Sequence, residues 1–320
     1  MTSILLVNMG APSSEKEMKQ FLKRIFFDRQ IIPHGYLTRK FHSLIISNLA
    51  YKKSWKKYEQ TGGTPLLKSM ETLRENLQKI LPDNFSVHCA YSYTNPLIYN
   101  KIMELYATGI SDFKIVPLYP HTSFSTVGSV KNDIECIRKN LPDVKFEIFT
   151  DYYTEKEFIE FWKTLIISAI KNNNFKKPYL LFSAHAIPQS FVECGDKYVE
   201  QIYHSAKLIA ETLNLPYSVA FQSRAHGHKH WTKPNTNAEL KALKIKEIEE
   251  IVIVPISFIN ENLETRYDLD IEIIPNARKV LGIKQICRVE ISQTALKLIS
   301  KLLTECVSAP TEIKSTPHSA

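Results

Sequence analysis

The sequence predicts an α/β protein made of two similar, doubly wound domains of the Rossmann-like type, each with a four-stranded parallel sheet. Two observations predict this class. Short apolar runs rich in Val, Ile and Phe, which are typical of buried parallel strands, alternate with longer amphipathic stretches. About eight such runs fall within the 320 residues, which is enough for two four-stranded sheets.

The predicted elements follow one another in a regular order. The strands are short, as completely buried strands are, and the helices carry apolar residues on one face. The predicted strands cover residues 4–8, 86–91, 113–118, 145–149, 179–183, 217–221, 251–255 and 286–289. The predicted helices cover residues 15–25, 67–80, 155–171, 197–213 and 262–280.

The chain is expected to divide near residue 160. Residues 1–160 form the predicted N-terminal domain and residues 161–307 form the C-terminal domain. The last helix, predicted over 293–306, is expected to pack back on the first domain. The tail at 308–320 is polar, contains two prolines and is expected to fray.

Positive charge is concentrated near the N-terminus. The formal net charge is +8, and residues 1–60 hold 11 Lys and Arg against four Asp and Glu. Such a segment suits nucleic acid, an anionic substrate or an anionic membrane surface, and a solvated basic face is the alternative. Neither GxGxxG nor GxxxxGKS/T occurs, so the usual nucleotide-phosphate motifs are missing.

Neither a membrane span nor a disulfide framework is expected. No apolar stretch reaches ~18 residues, and the N-terminus runs directly into a predicted strand without the features of a signal peptide. The five cysteines contain no CxxC pair, which fits a reducing cytoplasm.

His185 is a candidate general base. It ends the string Phe-Ser-Ala-His after an apolar strand, and ligands of doubly wound sheets bind beyond the carboxyl ends of the strands. The unperturbed pKa of histidine is close to neutrality, which suits proton transfer. A purely structural histidine is the alternative.

Three carboxylates, Glu264, Asp268 and Glu272, form what we call the acidic row. A spacing of four residues places them on roughly one face of a helix. The drift of about 40° per step would be removed if the segment were locally π-helical, as functional helices sometimes are. Such a row can relay protons or guide a hydrated divalent cation inward. A solvated acidic face is the alternative.

Three alternating histidines, His226, His228 and His230, have the spacing of a metal site if the segment is extended. Because no Cys or carboxylate pattern completes such a site, a surface loop is the favoured interpretation.

Seven strings make the chain resemble the ferrochelatases from residue 4 to about residue 305. Each string alone is weak, but their order and spacing together are specific. The strings are Leu-Val-Asn-Met-Gly-Ala-Pro at 6–12, Gly-Gly-Thr-Pro-Leu at 62–66, Pro-Leu-Tyr-Pro at 117–120 with Ser-Phe-Ser-Thr at 123–126, Phe-Ser-Ala-His at 182–185, Gly-Asp-Lys-Tyr at 195–198, Phe-Gln-Ser-Arg at 221–224, and Leu-Glu-Thr at 263–265 through Asp-Ile-Glu at 270–272.

The resemblance implies a chelatase fold with a porphyrin in the cleft between two α/β domains. It implies a lyase that inserts Fe²⁺ into protoporphyrin IX, or a related porphyrin such as coproporphyrin III, in haem biosynthesis. In this family resemblance His185 is the catalytic histidine and Glu264 its partner, both in contact with the metal. Asp268 and Glu272 become the outer members of the acidic row.

The resemblance also implies a pocket and a lip around its mouth. Met9 would face the metal from the opposite side of the macrocycle. The apolar and basic segment 31–51 looks like the lip, and an amphipathic lip over 31–53 would contact an anionic membrane from the cytoplasmic side. The further pocket residues that the resemblance implies are Tyr119, Ser123, Trp231 and Phe258.

Several positions depart from the pattern of the family. The loop before Glu264 usually reads Ser-Asp-His, whereas here it is Asn260-Glu261-Asn262, so a partner of Glu264 is changed. Ser92 stands where many members have an arginine. Some members hold an iron–sulfur cluster through C-terminal cysteines, but here only Cys306 lies near the end. We therefore expect no iron–sulfur cluster. The resemblance also implies no tightly bound cofactor and no nucleic-acid partner, with Fe²⁺ as a substrate.

Two alternatives fit the same fold. A cobalt or nickel tetrapyrrole chelatase is one, although such enzymes usually centre on paired histidines. A porphyrin- or haem-binding protein that has lost turnover is the other, and the altered loop at residues 260–262 is its best support.

Overall fold

The computed structural model describes residues 1–63, 65–223, 230–292 and 296–308. It contains two four-stranded parallel sheets, so the predicted fold class is confirmed. The strand order is β2-β1-β3-β4 in the first sheet and β6-β5-β7-β8 in the second, which is the same doubly wound order twice. The strands are β1 (Thr2–Asn8), β2 (Phe85–Tyr91), β3 (Asp112–Pro117), β4 (Lys145–Ile148), β5 (Tyr179–His185), β6 (Tyr217–Gln222), β7 (Glu250–Val254) and β8 (Gln285–Arg288).

All eight predicted strands are present, and most of their ends agree with the prediction within one or two residues. The one functional difference lies in β5, which was predicted to end at residue 183. The strand continues because His185 still pairs with Gln222 of β6. His185 is therefore the last paired residue of its strand and does not lie in the loop that follows.

The helices cover both faces of the two sheets. They are α1 (Glu15–Phe27), α2 (Tyr36–Gln60), α3 (Leu66–Ile80), α4 (Ile98–Ala107), α5 (Ser129–Arg138), α6 (Lys156–Asn172), α7 (Gln189–Glu193), α8 (Tyr198–Leu213), α9 (Thr236–Ile245), α10 (Ile274–Val280) and α11 (Leu296–Ser308). Two segments, Phe124–Gly128 and Glu264–Ile273, are π-helical, and Tyr152–Thr154 forms a 3₁₀ turn.

The long helix α2 is the main element that the sequence pattern did not predict. Its segment was interpreted only as a lip. Apolar residues that remain exposed, including Leu37, Phe41 and Leu49, interrupt the usual division into a buried and a polar face. The pattern therefore carried no clear helical signal.

The core joins the two halves of the chain. Successive strand residues point to opposite faces of a sheet, so Ile4 and Leu6 enter the large central core while Leu5 and Val7 enter the core under α4 and α5. The second sheet repeats this arrangement with Phe182 and Leu181. The helices α6 and α11 supply buried residues to the central core, and α11 contacts both α3 and α6. The predicted division at residue 160 falls within α6.

No helix in the described ranges, which omit 64, 224–229, 293–295 and 309–320, is both long and apolar enough to span a membrane.

Candidate active site

The backbone of His185 is fixed on three sides. Strand pairing with Gln222 holds it from β6. Its N–H donates to the Ser257 hydroxyl over 3.1 Å, and its carbonyl accepts from the Tyr198 hydroxyl over 3.0 Å. Ser257 and Tyr198 also share a hydrogen bond. The residue is consequently held in place by contacts that do not involve its ring.

The half-buried His185 ring has one nitrogen in a hydrogen bond, and its other nitrogen has no hydrogen-bond partner among the described residues. Its Nδ1 atom lies 2.7 Å from the carbonyl oxygen of Ala186. Because a carbonyl oxygen only accepts hydrogen bonds, Nδ1 carries the proton and the neutral ring has its lone pair on Nε2. This is the tautomer that a general base needs.

Glu264 begins the π-helical segment and lies close to His185. The amide of Gln222 donates to the Glu264 carbonyl over 3.2 Å, and Gln222 itself accepts from the Ser183 hydroxyl over 2.6 Å. Burial raises the pKa of the Glu264 carboxyl, the nearby His185 opposes this rise, and Asp268 adds to it. The Glu264 carboxyl therefore lies within electrostatic range of the His185 ring.

The altered loop forms a helix cap. The Asn262 side-chain oxygen accepts from the Thr265 N–H over 2.9 Å, and the Thr265 hydroxyl accepts from the Asn262 N–H over 3.0 Å. This reciprocal pair satisfies two backbone donors at the start of the π-helix, as a capping box does. Asn262 therefore stabilises the turn that carries Glu264, in the position where the family has a histidine.

A buried ion pair braces the same loop from behind. Arg288 donates to Glu261 over 2.7 Å, and both side chains are at most 5% exposed. Arg288 also makes a bidentate contact with Asp270 at 2.8 and 2.9 Å. One guanidinium group from β8 therefore connects the loop to the middle of the π-helix. No local sequence pattern predicts this contact, because the partners lie far apart along the chain.

The acidic row runs from the interior to the surface. Glu264 and Asp268 are half-buried, whereas Glu272 is exposed. The segment is π-helical over Glu264–Ile273, which meets the condition that aligns the three carboxylates. Asp268 accepts a short hydrogen bond from the Ser223 hydroxyl. Glu272 accepts a hydrogen bond from the Tyr267 hydroxyl. The arrangement can carry protons or a cation between solvent and His185.

Met9 and Tyr119 lie together at the carboxyl end of the first sheet. Met9 is half-buried and packs against the central core. The chain turns at Gly10, whose φ of 86° is one that glycine adopts readily. A Cβ atom at this position would also lie 2.0 Å from the Thr94 hydroxyl oxygen. Burial raises the pKa of Tyr119, the Met9 backbone opposes this, and the Glu264 charge raises it further. Tyr119 therefore lies within electrostatic range of the site in the second half.

The remaining predicted pocket residues occupy two environments. Trp231 and Phe258 are half-buried against the central core, and Trp231 forms a bridge with Pro188 after β5. Ser123 is buried, and its hydroxyl donates to Asp196 over 2.8 Å. Asp196 also accepts from the Phe124 N–H over 2.8 Å. Ser123 thus connects the two halves of the chain, and its hydroxyl proton is committed to Asp196.

Two residues at the end of α2 lie near the acidic row but are not among the site residues that the sequence predicts. Tyr58 is buried, and its pKa is raised by burial first and by the charge of Glu264 second. Lys57 lies 3.7 Å from Asp268. The end of α2 is distant in sequence from the acidic row, so no sequence pattern predicts this contact.

Some predictions fall outside the described residues. His226 and His228 of the alternating histidines, Arg224 of the Phe-Gln-Ser-Arg string, Thr64 of the glycine string and the tail from 309 onward belong to this group. His230 is described and exposed, which agrees with the surface interpretation at that residue.

The fold and the site define a class of protein. His185 lies at the carboxyl end of β5, Glu264 begins the π-helical segment near it, and the acidic row continues along that segment to the surface. These features define an α/β protein of two doubly wound sheets with a histidine, a glutamate and a row of carboxylates grouped beside the second sheet. The sequence model of the family described as Ferrochelatase matches residues 1–309, and the chain belongs to this family. Ferrochelatases are lyases that insert iron into a porphyrin, so the predicted enzyme class is confirmed.

Curated relatives agree with this assignment. The chain is 36% identical to the ferrochelatase of Rickettsia bellii (strain OSU 85-389) over 279 residues, which cover 84% of this chain and 77% of the relative. It is 31% identical to the ferrochelatase of Aquifex aeolicus (strain VF5), over 93% of this chain and 96% of the relative. The ferrochelatase assignment does not favour the two alternatives, a cobalt or nickel chelatase and a binding protein without turnover.

Solved structures share the fold. SirB from Bacillus subtilis with Fe³⁺ superposes with a TM-score of 0.58 at 11% identity, covering 96% of each chain. The sirohydrochlorin chelatase SirB from Bacillus subtilis subspecies spizizenii in complex with cobalt gives a TM-score of 0.56 at 11% identity, covering 95% of this chain and 94% of that one. At this identity the likeness concerns the fold alone.

Proposed function

We propose that this chain inserts Fe²⁺ into protoporphyrin IX, or into a related porphyrin such as coproporphyrin III, and releases two protons. The single observation that carries the proposal is the His185 ring: its Nδ1 is held by the Ala186 carbonyl, its Nε2 has no hydrogen bond within the described part of the chain, and the ring lies within electrostatic range of Glu264. A free-base porphyrin has two inner N–H protons that metallation must remove. A neutral imidazole next to a carboxylate is suited to that task.

His185 takes a pyrrole proton, and Glu264 holds the resulting imidazolium by its negative charge. The proton then leaves along the row through Asp268 and Glu272, because exposure increases in that order. His185 and Glu264 also contact the metal as it enters the porphyrin ring. Since a flat macrocycle shields its nitrogen lone pairs, the pocket binds the porphyrin bent, part-way to the transition state.

The pocket walls come from both halves of the chain. Met9 faces the metal from the side of the macrocycle opposite His185. Tyr119, Trp231 and Phe258 supply the apolar wall, and Ser123 supports it from beneath through Asp196. No resident iron–sulfur cluster or other cofactor belongs to the proposal, and the iron is a substrate.

The proposed activity is tested with purified protein under anaerobic conditions. Fe²⁺ is added to protoporphyrin IX, and to coproporphyrin III in a parallel reaction, and porphyrin absorbance is followed. Metallation above the protein-free rate supports the proposal, and the faster of the two reactions identifies the preferred porphyrin. Porphyrin binding without metallation of either substrate would contradict it.

We further propose that α2 rests on an anionic membrane at the cytoplasmic face. Leu37, Phe41, Ile45 and Leu49 are 39–79% exposed and recur every four residues along α2. Arg39, Lys40, Lys52 and Lys53 lie on the same helix. An apolar stripe flanked by basic residues is the pattern of an interfacial helix. At low salt the protein should sediment with anionic vesicles and not with zwitterionic ones. Replacing Leu37 and Phe41 by Glu should abolish sedimentation, and sedimentation that persists in this variant would refute the contact.

A further inference from the structure

A connected set of side-chain contacts ties two residues of the π-helical segment to the end of β8. The Thr265 hydroxyl donates to Oε2 of Glu261 over 2.6 Å, and Oε1 of Glu261 accepts from Nη1 of Arg288 over 2.7 Å. The same guanidinium group donates to both carboxylate oxygens of Asp270, from Nε over 2.8 Å and from Nη2 over 2.9 Å. We call these four residues the Arg288 clamp. Thr265 and Asp270 belong to the π-helical segment, whereas Glu261 and Arg288 lie outside it.

The clamp is largely shielded from solvent. Thr265 is completely buried, and the side chains of Arg288 and Glu261 are 2% and 5% exposed. The Ile291 N–H also donates to Glu261 over 2.8 Å, so the carboxylate is held from a third direction. Bidentate, charge-assisted hydrogen bonds in such a place are strong and directional. The clamp therefore fixes where Thr265 and Asp270 lie relative to β8.

The spacing of the two clamped helix residues matches a π-helix and not an α-helix. Thr265 and Asp270 are five residues apart. Because the hydrogen bonds of a π-helix join residues i and i+5, residues at this spacing lie nearly above one another. In an α-helix of 3.6 residues per turn they would be separated by about 140° around the axis. An α-helical register that kept Thr265 on Glu261 would thus turn Asp270 away from Arg288.

We propose that Arg288 and Asp270 are positioning residues that hold residues 264–273 in the π-helical register. A change to the α-helical register would rotate Asp268 and Glu272 about the helix axis relative to Glu264. The clamp therefore sets where the outer carboxylates stand when Glu264 lies beside His185. The inference rests on the proposed function, because that function routes protons outward along the acidic row.

The test compares anaerobic metallation of protoporphyrin IX by wild type and Asp270→Asn, which spares the buried pair of Glu261 and Arg288. We expect kcat to fall about tenfold with the KM for porphyrin unchanged, because the substitution displaces the row and leaves the pocket walls intact. Asp270→Glu keeps a carboxylate for the guanidinium group and should retain most of the wild-type kcat. Glu147→Gln is the matched control, since it breaks a shielded pair with Lys114 in the first sheet, and it should lose stability but keep kcat. Rates are taken at a temperature at which melting curves show every variant to be folded.

A crystal structure of the Asp270→Asn variant provides a readout that does not depend on activity. It should show that the hydrogen bonds between residues i and i+5 are lost around position 270. A wild-type kcat in Asp270→Asn, an equal loss of kcat in Glu147→Gln, or an intact π-helix in an impaired Asp270→Asn variant would each overturn the proposal. If wild type itself does not metallate porphyrin, the proposed function fails, and the helical register in the variant still decides the role of the clamp.

Discussion

Gln222 at the end of β6 donates a 3.2 Å hydrogen bond to the backbone carbonyl of Glu264. The same residue pairs with His185 across the sheet. The two catalytic candidates are therefore positioned by one residue, His185 through strand pairing and Glu264 through a side-chain amide. A change in the end of β6 is transmitted to both members of the pair.

Glu264→Gln should stabilise the protein while it impairs catalysis. Burial raises the pKa of Glu264, so the folded state holds this proton more tightly than the unfolded state does. The ionised carboxylate consequently opposes folding at neutral pH. This opposition declines as the pH falls below the folded-state pKa, and it is gone once the pH is below the lower pKa of the unfolded chain. Removing the charge should raise Tm at pH 7 by about 1–3 °C, measured by calorimetry. Glu193→Gln, at an exposed site, is the control, and a lower Tm for Glu264→Gln would refute this assignment.

Asn262→Ala should weaken both the fold and the reaction. It removes the cap from the segment that carries Glu264, which costs about 1 kcal/mol in the free energy of unfolding. Because Glu264 then loses its fixed position, the rate of metallation should fall by about tenfold. Ser14→Ala removes the cap of α1 and is the control. That variant should lose stability but keep the rate, and equal rates in both variants would disprove the positioning role of Asn262.

Arg288→Met should be severely destabilising. The change removes the buried guanidinium that pairs with both Glu261 and Asp270, and it leaves Glu261 with the 3.5 Å contact to Arg266 as its remaining ion pair. Breaking a buried pair of this kind costs about 3–5 kcal/mol. Urea unfolding measures this loss. Lys207→Met breaks an exposed pair with Glu211 and should change stability by less than about 1 kcal/mol. A similar small effect for both variants would show that the Arg288 pair does not brace the loop.

His121→Gln should flatten the pH dependence of stability. His121 is buried between the two halves, with Nε2 2.8 Å from the Ser205 hydroxyl, and burial lowers its pKa to about 3. In the unfolded chain His121 takes up a proton near pH 6.5, whereas in the folded protein it stays neutral over this range. The free energy of unfolding therefore declines as the pH falls below that value. The wild type should lose about 2 kcal/mol between pH 6.5 and 5 through this group, and His121→Gln should not.

The measurement is urea unfolding at several pH values. His204→Gln, an exposed histidine beside Tyr153, is the matched control and should keep the wild-type slope. Equal slopes in wild type and His121→Gln would show that another group causes the decline.

The sequence predicted those features that depend on local pattern. Apolar runs identified all eight strands. The position of His185 beside one of these runs placed it at the carboxyl end of the sheet. Contacts between distant segments left no such trace. Lys57 on Asp268, Arg288 on Glu261 and Tyr58 near Glu264 depend on how helices and loops pack, and no periodicity encodes that packing.

Ser123 and Asn262 illustrate a second limit. A motif identifies a position but not the partner of its side chain. The hydroxyl of Ser123 is bound to Asp196, and Asn262, which stands where the family pattern has a histidine, caps a π-helix.

The most direct test of the account concerns His185 as the base. Wild type and His185→Ala are compared for anaerobic metallation of protoporphyrin IX by Fe²⁺, with porphyrin binding measured alongside by absorbance. We expect the variant to bind porphyrin and to metallate it at least ~100-fold more slowly, because proton removal from the pyrroles has lost its acceptor. A His185→Ala protein that metallates porphyrin at the wild-type rate would contradict the account.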